Sequence, residues 1–424
     1  MHTTRRSLLA LGGAGFGALA LAACGTGGDS SGSGSDDKVA EGKISGEISF
    51  QSWSLKNDKF IPYFEKLVKD FEAKHPGTKV KWMDQPGEGY QDKVLSQANS
   101  DSLPDVINLP PDMAYPLAKG GFLLNLKAAD KDLDSVYVEG GVKAYQFPKL
   151  EGSFGYPWYL GTDMNWWNLN ELKKYGVDEA SLPKSLDEML ALAKKVAEAG
   201  SKTPVISTLP HITITSKDGK FIFNTKENVD LVQKHADLYK IKAMPAEVLS
   251  NDYAGNSTLY KQGKVLWTTS TSSYAGELKN DAPSLVAGTV PTPRFGNPPL
   301  FVQGISVSKK SKNAATALAF AKFLTNDENQ IAFAKLAQGF LPGTKKAAED
   351  PSKFADTGDD ALLKKSVAIA SESIKKAVDD TNVLWTEDMG KNFTQQLAKA
   401  LKGDITPQAA LDQAVKYGND NLDK

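Results

Sequence analysis

The sequence predicts an α/β protein. Strand-like alternation gives way to helical spacing and returns repeatedly between Ile48 and Leu109, and strand-like segments recur among helices in the second half. The scale fits as well: 424 residues, 41% hydrophobic and 24% charged, can fill two domains, each with its own core.

The first elements are not fold. Arg5-Arg6 precede an apolar stretch from Leu8 to Ala23 that holds Gly12, Gly13, Gly15 and Gly17. It is short for a membrane span and has the layout of a secretory signal. No strand precedes these glycines, so they do not form a nucleotide loop. Leu21-Ala22-Ala23-Cys24 has the form of a lipobox, which makes Cys24 either the acylated first mature residue or a lone buried thiol. Thr4 to Leu9 suits a twin-arginine signal or an ordinary Sec signal. Residues 1–23 are expected to be removed as signal peptide, which changes the formal charge from −1 to −3 and leaves Arg294 as the only arginine. Residues 24–42 are expected to form a lipid-anchored linker. Its Gly/Ser tract from Gly25 to Asp37 offers nothing apolar to bury. Such a tether reaches about 25 Å and would hold the body at a membrane surface.

The body follows in order. Ile48, Phe50 and Ser52 alternate with polar neighbours and predict a strand ending at Trp53. Ile61, Phe64, Leu67, Val68 and Phe71 predict a helix stopped by His75-Pro76-Gly77. A strand at Val80 to Met83, a helix at Tyr90 to Ala98 and a strand at Asp105 to Leu109 complete a βαβαβ unit with a mostly parallel sheet. Later, Ser185-Leu186-Asp187-Glu188 forms a capping box, Thr225 caps a helix to Tyr239, and Val265 to Thr269 is strand-like. From about Asn313 the chain is mainly helical and ends in a helix with Thr406 at the N-cap and Pro407 at N1. His75 and His235 are expected to be exposed helix residues.

The composition excludes several classes. With 50 Lys+Arg against 51 Asp+Glu, nucleic acid is not a partner. One cysteine cannot form an internal disulfide, and four scattered histidines build no Cys/His zinc site. Neither metal nor cofactor is called for. After the N-terminus no apolar run reaches the ~18 residues of a span.

Several motifs fall in a familiar order. They are the lipobox, Phe50-Gln51-Ser52-Trp53, Phe71 to Pro76, Tyr90 to Val94 and Leu103-Pro104-Asp105-Val106. Gly152 to Asp163 with Trp166-Trp167-Asn168, Tyr260 to Val265, Gln303-Gly304-Ile305 and Leu401 to Pro407 follow. The chain resembles the extracellular solute-binding lipoproteins of ABC importers, in their maltose-binding-protein-like, sugar-preferring branch. The resemblance implies a type II periplasmic-binding-protein-like fold, with two lobes, each a mostly parallel sheet flanked by helices, and a ligand cleft between them. It places residues 43–157 plus 305–350 in an N-lobe and 158–304 plus 351–424 in a C-lobe, with crossovers near Tyr156-Pro157-Trp158 and Gln303-Gly304-Ile305. The implied partners are a sugar or oligosaccharide, a membrane permease with its cytoplasmic ATPase, and the membrane through the lipid. Two departures stand out: Ile206 to Phe221 is short, and Ser272-Ser273-Tyr274 stands where many members carry a second site tryptophan.

A sugar needs planar aromatics for its C–H face and polar side chains for its hydroxyls, gathered at strand ends. The candidates are Trp53, Asp112, Trp158, Asp163, Tyr274, Gln303, Gly304 and Trp385. For each aromatic the competing role is core, and for Asp112 and Asp163 it is helix capping. Gly304 would permit close backbone approach. Trp82, Trp166 and Trp267 sit in apolar strand-like runs and read as core.

The principal reading is thus a lipid-anchored sugar receptor on the extracytoplasmic face that catalyses nothing. A receptor for a non-sugar solute (a glycerophosphodiester, a peptide or a polyamine) is the alternative, although scarce arginine argues against phosphate. An exported glycoside hydrolase needs a carboxylate pair, and no hydrolase motif accompanies one.

Overall fold

The computed structural model describes residues 36–250, 253–355, 358–379 and 382–422. The signal, Cys24 and the tether up to Ser35 lie outside them. The body starts earlier than expected. Asp36–Glu41 form a 3₁₀ helix. The Asp36 carboxylate accepts from the Asn125 backbone N–H at 3.2 Å and pairs with Lys309 at 3.3 Å. Val39 packs on the core, and a Cβ on Gly42 would stand 2.7 Å from that of Ala315. The linker expected to run to residue 42 is therefore docked from Asp36, where a carboxylate and an apolar side chain first find partners.

The predicted βαβαβ unit is present as β1 (Gly46–Trp53), α1 (Ile61–Lys74), β2 (Thr78–Gln85), α2 (Tyr90–Asn99) and β3 (Val106–Leu109), followed by α3 (Pro111–Lys119). β1 lies between β2 and β3 and is parallel to both. Helical spacing turns Phe64, Leu67 and Phe71 to the sheet, where Phe50 meets Phe64 at 6.0 Å and Phe320 at 5.5 Å. Val94 and Ala98 of α2 join Ile107 and Leu109 in a second cluster.

The remaining strands are β4 (Tyr156–Gly161), β5 (Met164–Asn168), the hairpin β6 (Ser216–Lys217) and β7 (Lys220–Phe221), β8 (Trp267–Ser270), β9 (Thr289–Pro293), β10 (Phe301–Val307) and β11 (Leu341–Pro342). One sheet has the order β11-β4-β10-β3-β1-β2 and another has β8-β5-β9. Among the strands of the described residues only the pairings of β1 are parallel; β10 runs against β3 and β4, β11 runs against β4, and β5 runs against β8 and β9. The expectation of a mostly parallel sheet in each lobe thus fails outside the βαβαβ unit. The chain leaves β4 for the second sheet and returns from it into β10, so no single crossover helix sets these strands parallel.

The passages between the sheets also differ from expectation. Tyr156-Pro157-Trp158 lies inside β4 and Gln303-Gly304-Ile305 inside β10, so boundaries at 157/158 and 304/305 would cut paired strands. The chain changes sheets at Thr162-Asp163 and again between β9 and β10. The Thr162 hydroxyl donates to the Pro299 carbonyl at 2.7 Å and ties the two passages together.

The second lobe rests on capped helices. Ser185, Thr225 and Thr406 each accept from the backbone N–H three residues on, at 3.2, 3.3 and 3.1 Å, and open Leu186–Glu198, Lys226–Lys240 and Pro407–Asp420. With Glu387–Lys402 they enclose Met189, Leu190, Leu238, Leu397 and Leu411. His235, expected on the surface, is buried in the stripe of Val232 and Leu238. Its Nδ1 lies 2.9 Å from the Leu231 carbonyl, and burial lowers its pKa to about 4.

Candidate functional site

β1 ends at Trp53, β3 at Leu109 and β4 at Gly161. Because β10 is antiparallel to β3 and β4, its first residues share this edge: Gly304 lies opposite Leu109 and Phe301 opposite Gly161. Ligands of open α/β sheets bind at such carboxyl ends.

A hydrogen-bonded floor holds the edge together. Trp53 stacks on Tyr90, with ring centroids 5.8 Å apart and planes 27° apart. The Tyr90 hydroxyl donates to the Asn108 carbonyl at 3.0 Å. The Asn108 amide donates to Gln303 Oε1 at 3.2 Å and to the Gly304 carbonyl at 3.1 Å, and the Tyr145 hydroxyl donates to the Leu109 carbonyl at 2.6 Å. Burial pushes both tyrosine pKa values up, and for Tyr145 the charges of Asp112 and Asp379 add to it, so both phenols stay neutral donors.

Asp112 occupies the first turn of α3, just beyond β3. Its side chain is exposed, yet protein closes round it enough for desolvation to raise its pKa, against the pull of the Met113 N–H and its own N–H.

The edge therefore brings together Trp53, Asp112, Gln303 and Gly304, with Asp163 buried in the adjoining passage from β4 to β5. Gly304 has a different use from the one expected. A Cβ there would stand 2.3 Å from the Tyr145 hydroxyl, so its open space is occupied by tyrosine. Trp158 is fully buried, 4.5 Å from Phe333 and 6.0 Å from Phe64. Pro157 opposes Gly304 while Tyr159 opposes Gln303, which makes Trp158 the extra residue of a bulge. Its expected place in the cleft is corrected to core. Tyr274 is core as well: it meets Trp166 edge-on at 5.4 Å, and its hydroxyl donates to the Ser257 carbonyl at 2.7 Å. Trp385 is half-buried in a separate aromatic cluster, edge-on to Phe221 at 4.9 Å and Phe223 at 5.3 Å.

Sequence reasoning missed Tyr90, Asn108 and Tyr145. Asn108 had a signal: it is the single polar residue of Val106-Ile107-Asn108-Leu109, and a buried amide in an apolar strand calls for partners. A groove of about 370 Å³ lined by Lys127, Asp134, Glu139, Lys143 and Lys345 lies toward the other end of β4, and two of its lysines are already paired with Asp134 and Glu139.

Residues 66–363 match the family described as bacterial extracellular solute-binding protein, which is more than half of the chain. The chain belongs to this family. It is accordingly an extracytoplasmic solute-binding protein of the kind that serves ABC importers, with a two-lobed fold. It is 26% identical to the diacetylchitobiose binding protein DasA of Streptomyces coelicolor, covering 85% of this chain and 89% of that one. It is 25% identical to the sn-glycerol-3-phosphate-binding periplasmic protein UgpB of Rhizobium meliloti, over 72% of this chain and 74% of the other. Among solved structures, the cyclic alpha-maltosyl-1,6-maltose binding protein of Arthrobacter globiformis superposes with a TM-score of 0.70 at 18% identity, covering 89% of this chain and 98% of that one.

Proposed function

We propose that this solute-binding protein is a sugar receptor. It takes an oligosaccharide at the six-stranded sheet edge and delivers it to a membrane permease by closing the second lobe over it. The observation that carries the reading is the floor itself: a stacked Trp53–Tyr90 pair beside Gln303 and the partly desolvated Asp112. An aromatic face takes sugar C–H groups, while an amide and a carboxylate take hydroxyls. A phosphate-bearing solute would favour cationic groups, and the acidic Asp112 argues against it. DasA and the Arthrobacter protein, named for sugar ligands, support the same choice.

Closure uses differential affinity. A ligand that touches both lobes only when they meet shifts the population toward the closed form, which the permease can then distinguish. The passages at Thr162-Asp163 and between β9 and β10 are where the backbone absorbs the rotation. The protein carries out no chemistry on the sugar. Residues 1–23 are removed after Sec or twin-arginine export, and Cys24 carries the lipid that keeps the body at the membrane.

A thermal-shift panel of sugars, followed by small-angle scattering, tests this. A binding sugar raises Tm by mass action, reduces the radius of gyration and is recovered unaltered. Stoichiometric binding with an unchanged radius would sink the closure mechanism, and sugar turnover would sink the receptor. Cys24→Ser should release the protein from membranes with affinity unchanged.

A further inference from the structure

We propose that Asp84 is the positioning residue of this edge: through the turn that follows Trp53, its carboxylate sets the Ser54 hydroxyl beside the tryptophan ring as a further ligand contact. The proposal rests on the reading that places the ligand here and adds two residues to it.

The parallel register puts Asp84 of β2 opposite Ser52, and Gln85 opposite Trp53. Side chains alternate along a strand, so Asp84 lies on the other face of the sheet from Trp53 and acts on the edge through the backbone. It accepts from the Ser52 hydroxyl at 2.6 Å, from the Leu55 N–H at 3.2 Å and from the Lys56 N–H at 3.0 Å. The Ser52 hydroxyl accepts in turn from the Trp82 indole N–H at 2.9 Å. One carboxylate thus gathers two successive N–H groups of the turn, and bonds to a charged acceptor are stronger than neutral ones.

Those bonds hold an unfavourable backbone. Five non-glycine residues among the described residues have positive φ, and Ser54, at +58°, is the one that follows a strand end on the ligand edge. A Cβ crowds the carbonyl in this region, so serine adopts it only where its surroundings impose it. Here they do: the Ser54 N–H donates to the Gln85 carbonyl at 2.9 Å, Leu55 is buried in the core, and Asp84 takes the N–H groups of Leu55 and Lys56.

The consequence is the place of the hydroxyl. A Cβ on Gly87 would stand 3.0 Å from Ser54 Oγ and 3.2 Å from Cε3 of Trp53, so hydroxyl and ring border the same position. Ser54 is exposed, and its hydroxyl has no hydrogen-bond partner among the described residues. A ring face for C–H groups with an open hydroxyl next to it suits a sugar.

The test is isothermal titration of the mature chain with maltotriose and with N,N′-diacetylchitobiose, continued with whichever binds. Asp84→Asn should weaken binding about fivefold, since one acceptor becomes an amide donor facing the turn. Ser54→Ala should weaken it about threefold. The two together should be no worse than Asp84→Asn alone, because Asp84 acts through Ser54. Ser52→Ala removes a bond of Asp84 on the side away from the turn and should lower Tm with the parent's affinity. Parent affinity in Asp84→Asn, additive losses in the double variant, or an equal loss in Ser52→Ala overturns the proposal while leaving the sugar reading standing. Should Asp84→Asn fail to fold, Ser54→Ala and Gly87→Ala decide, the second setting a methyl against both hydroxyl and ring; parent affinity in both overturns it. If the parent binds neither sugar but takes glycerol 3-phosphate, the sugar reading falls, and the same variants titrated with that solute test the positioning separately.

Discussion

Trp53 and Trp385 are both half-buried tryptophans with aromatic neighbours, and they pack against different core clusters. What surrounds them differs. Trp53 ends a strand, stacks on one ring, and has the amide of Asn108 and the side chain of Gln303 within its network. Trp385 is met edge-on by Phe221, Phe223 and Phe393, and a Cβ on Gly418 would come within 2.7 Å of its ring. Position near a loop does not make a platform. Trp53 ends a strand with polar groups nearby, whereas the rings on several sides of Trp385 make it a packing unit.

The largest expected effect comes from a third tryptophan. Trp158→Ala removes a fully buried ring between Phe64 and Phe333 and should destabilise the protein by about 3–5 kcal/mol. Chemical denaturation measures it. A loss below about 1 kcal/mol with a large loss of sugar affinity would return Trp158 to the cleft and break the distinction between core and platform.

The second lobe has its own acid sensitivity. Burial lowers the His235 pKa from 6.5 to about 4, so the unfolded chain takes up this proton more readily than the folded one. The associated stability is complete above pH 6.5, declines as pH falls toward 4, and amounts to about 3 kcal/mol. His235→Leu should remove that slope in denaturation curves between those pH values. The helix carrying His235 packs on Glu387–Lys402, which follows Trp385, so acid should perturb Trp385 fluorescence before that of Trp53.

Paired truncations then test the comparison directly. Trp53→Ala should weaken sugar binding by about 1–3 kcal/mol with little change in Tm, and Trp385→Ala should lower Tm with affinity nearly intact. Titration calorimetry and scanning calorimetry on both variants separate the cases. Reversed results would move the ligand to the second lobe.

Legibility followed the range of the signal. β1 to β3 were readable because alternation and helical spacing are local. β4 and β5 were not, because they are buried along nearly their whole length and show no alternation from which to infer a face. Their antiparallel partners lie a hundred residues or more away, a separation that periodicity does not encode. Trp53 and Asp112 could be put forward from sequence because each follows a readable strand. Trp158 was misassigned because it shares the buried face of Tyr156, two residues earlier, and that face is covered by Phe64 and Phe333 from distant segments. Tyr145 arrives from a stretch without periodicity and fits only because Gly155 and Gly304 both make room for it.

The smallest expected effect is at Asp112, and its sign is informative. Desolvation raises its folded pKa above the unfolded value, so its stabilising contribution is complete below the unfolded pKa and is lost as pH rises through the folded one. At neutral pH the charged carboxylate is therefore a slight burden on the folded state. Asp112→Asn should raise Tm a little at pH 7 and leave it unchanged in acid, where aspartic acid is already neutral. The same change weakens sugar binding at pH 7, since an amide is a poorer acceptor for hydroxyl groups than a carboxylate. Stability and affinity moving in opposite directions mark a residue held for its ligand. If the two fall together, Asp112 serves only the first turn of α3, and the floor beside Trp53 loses its acid.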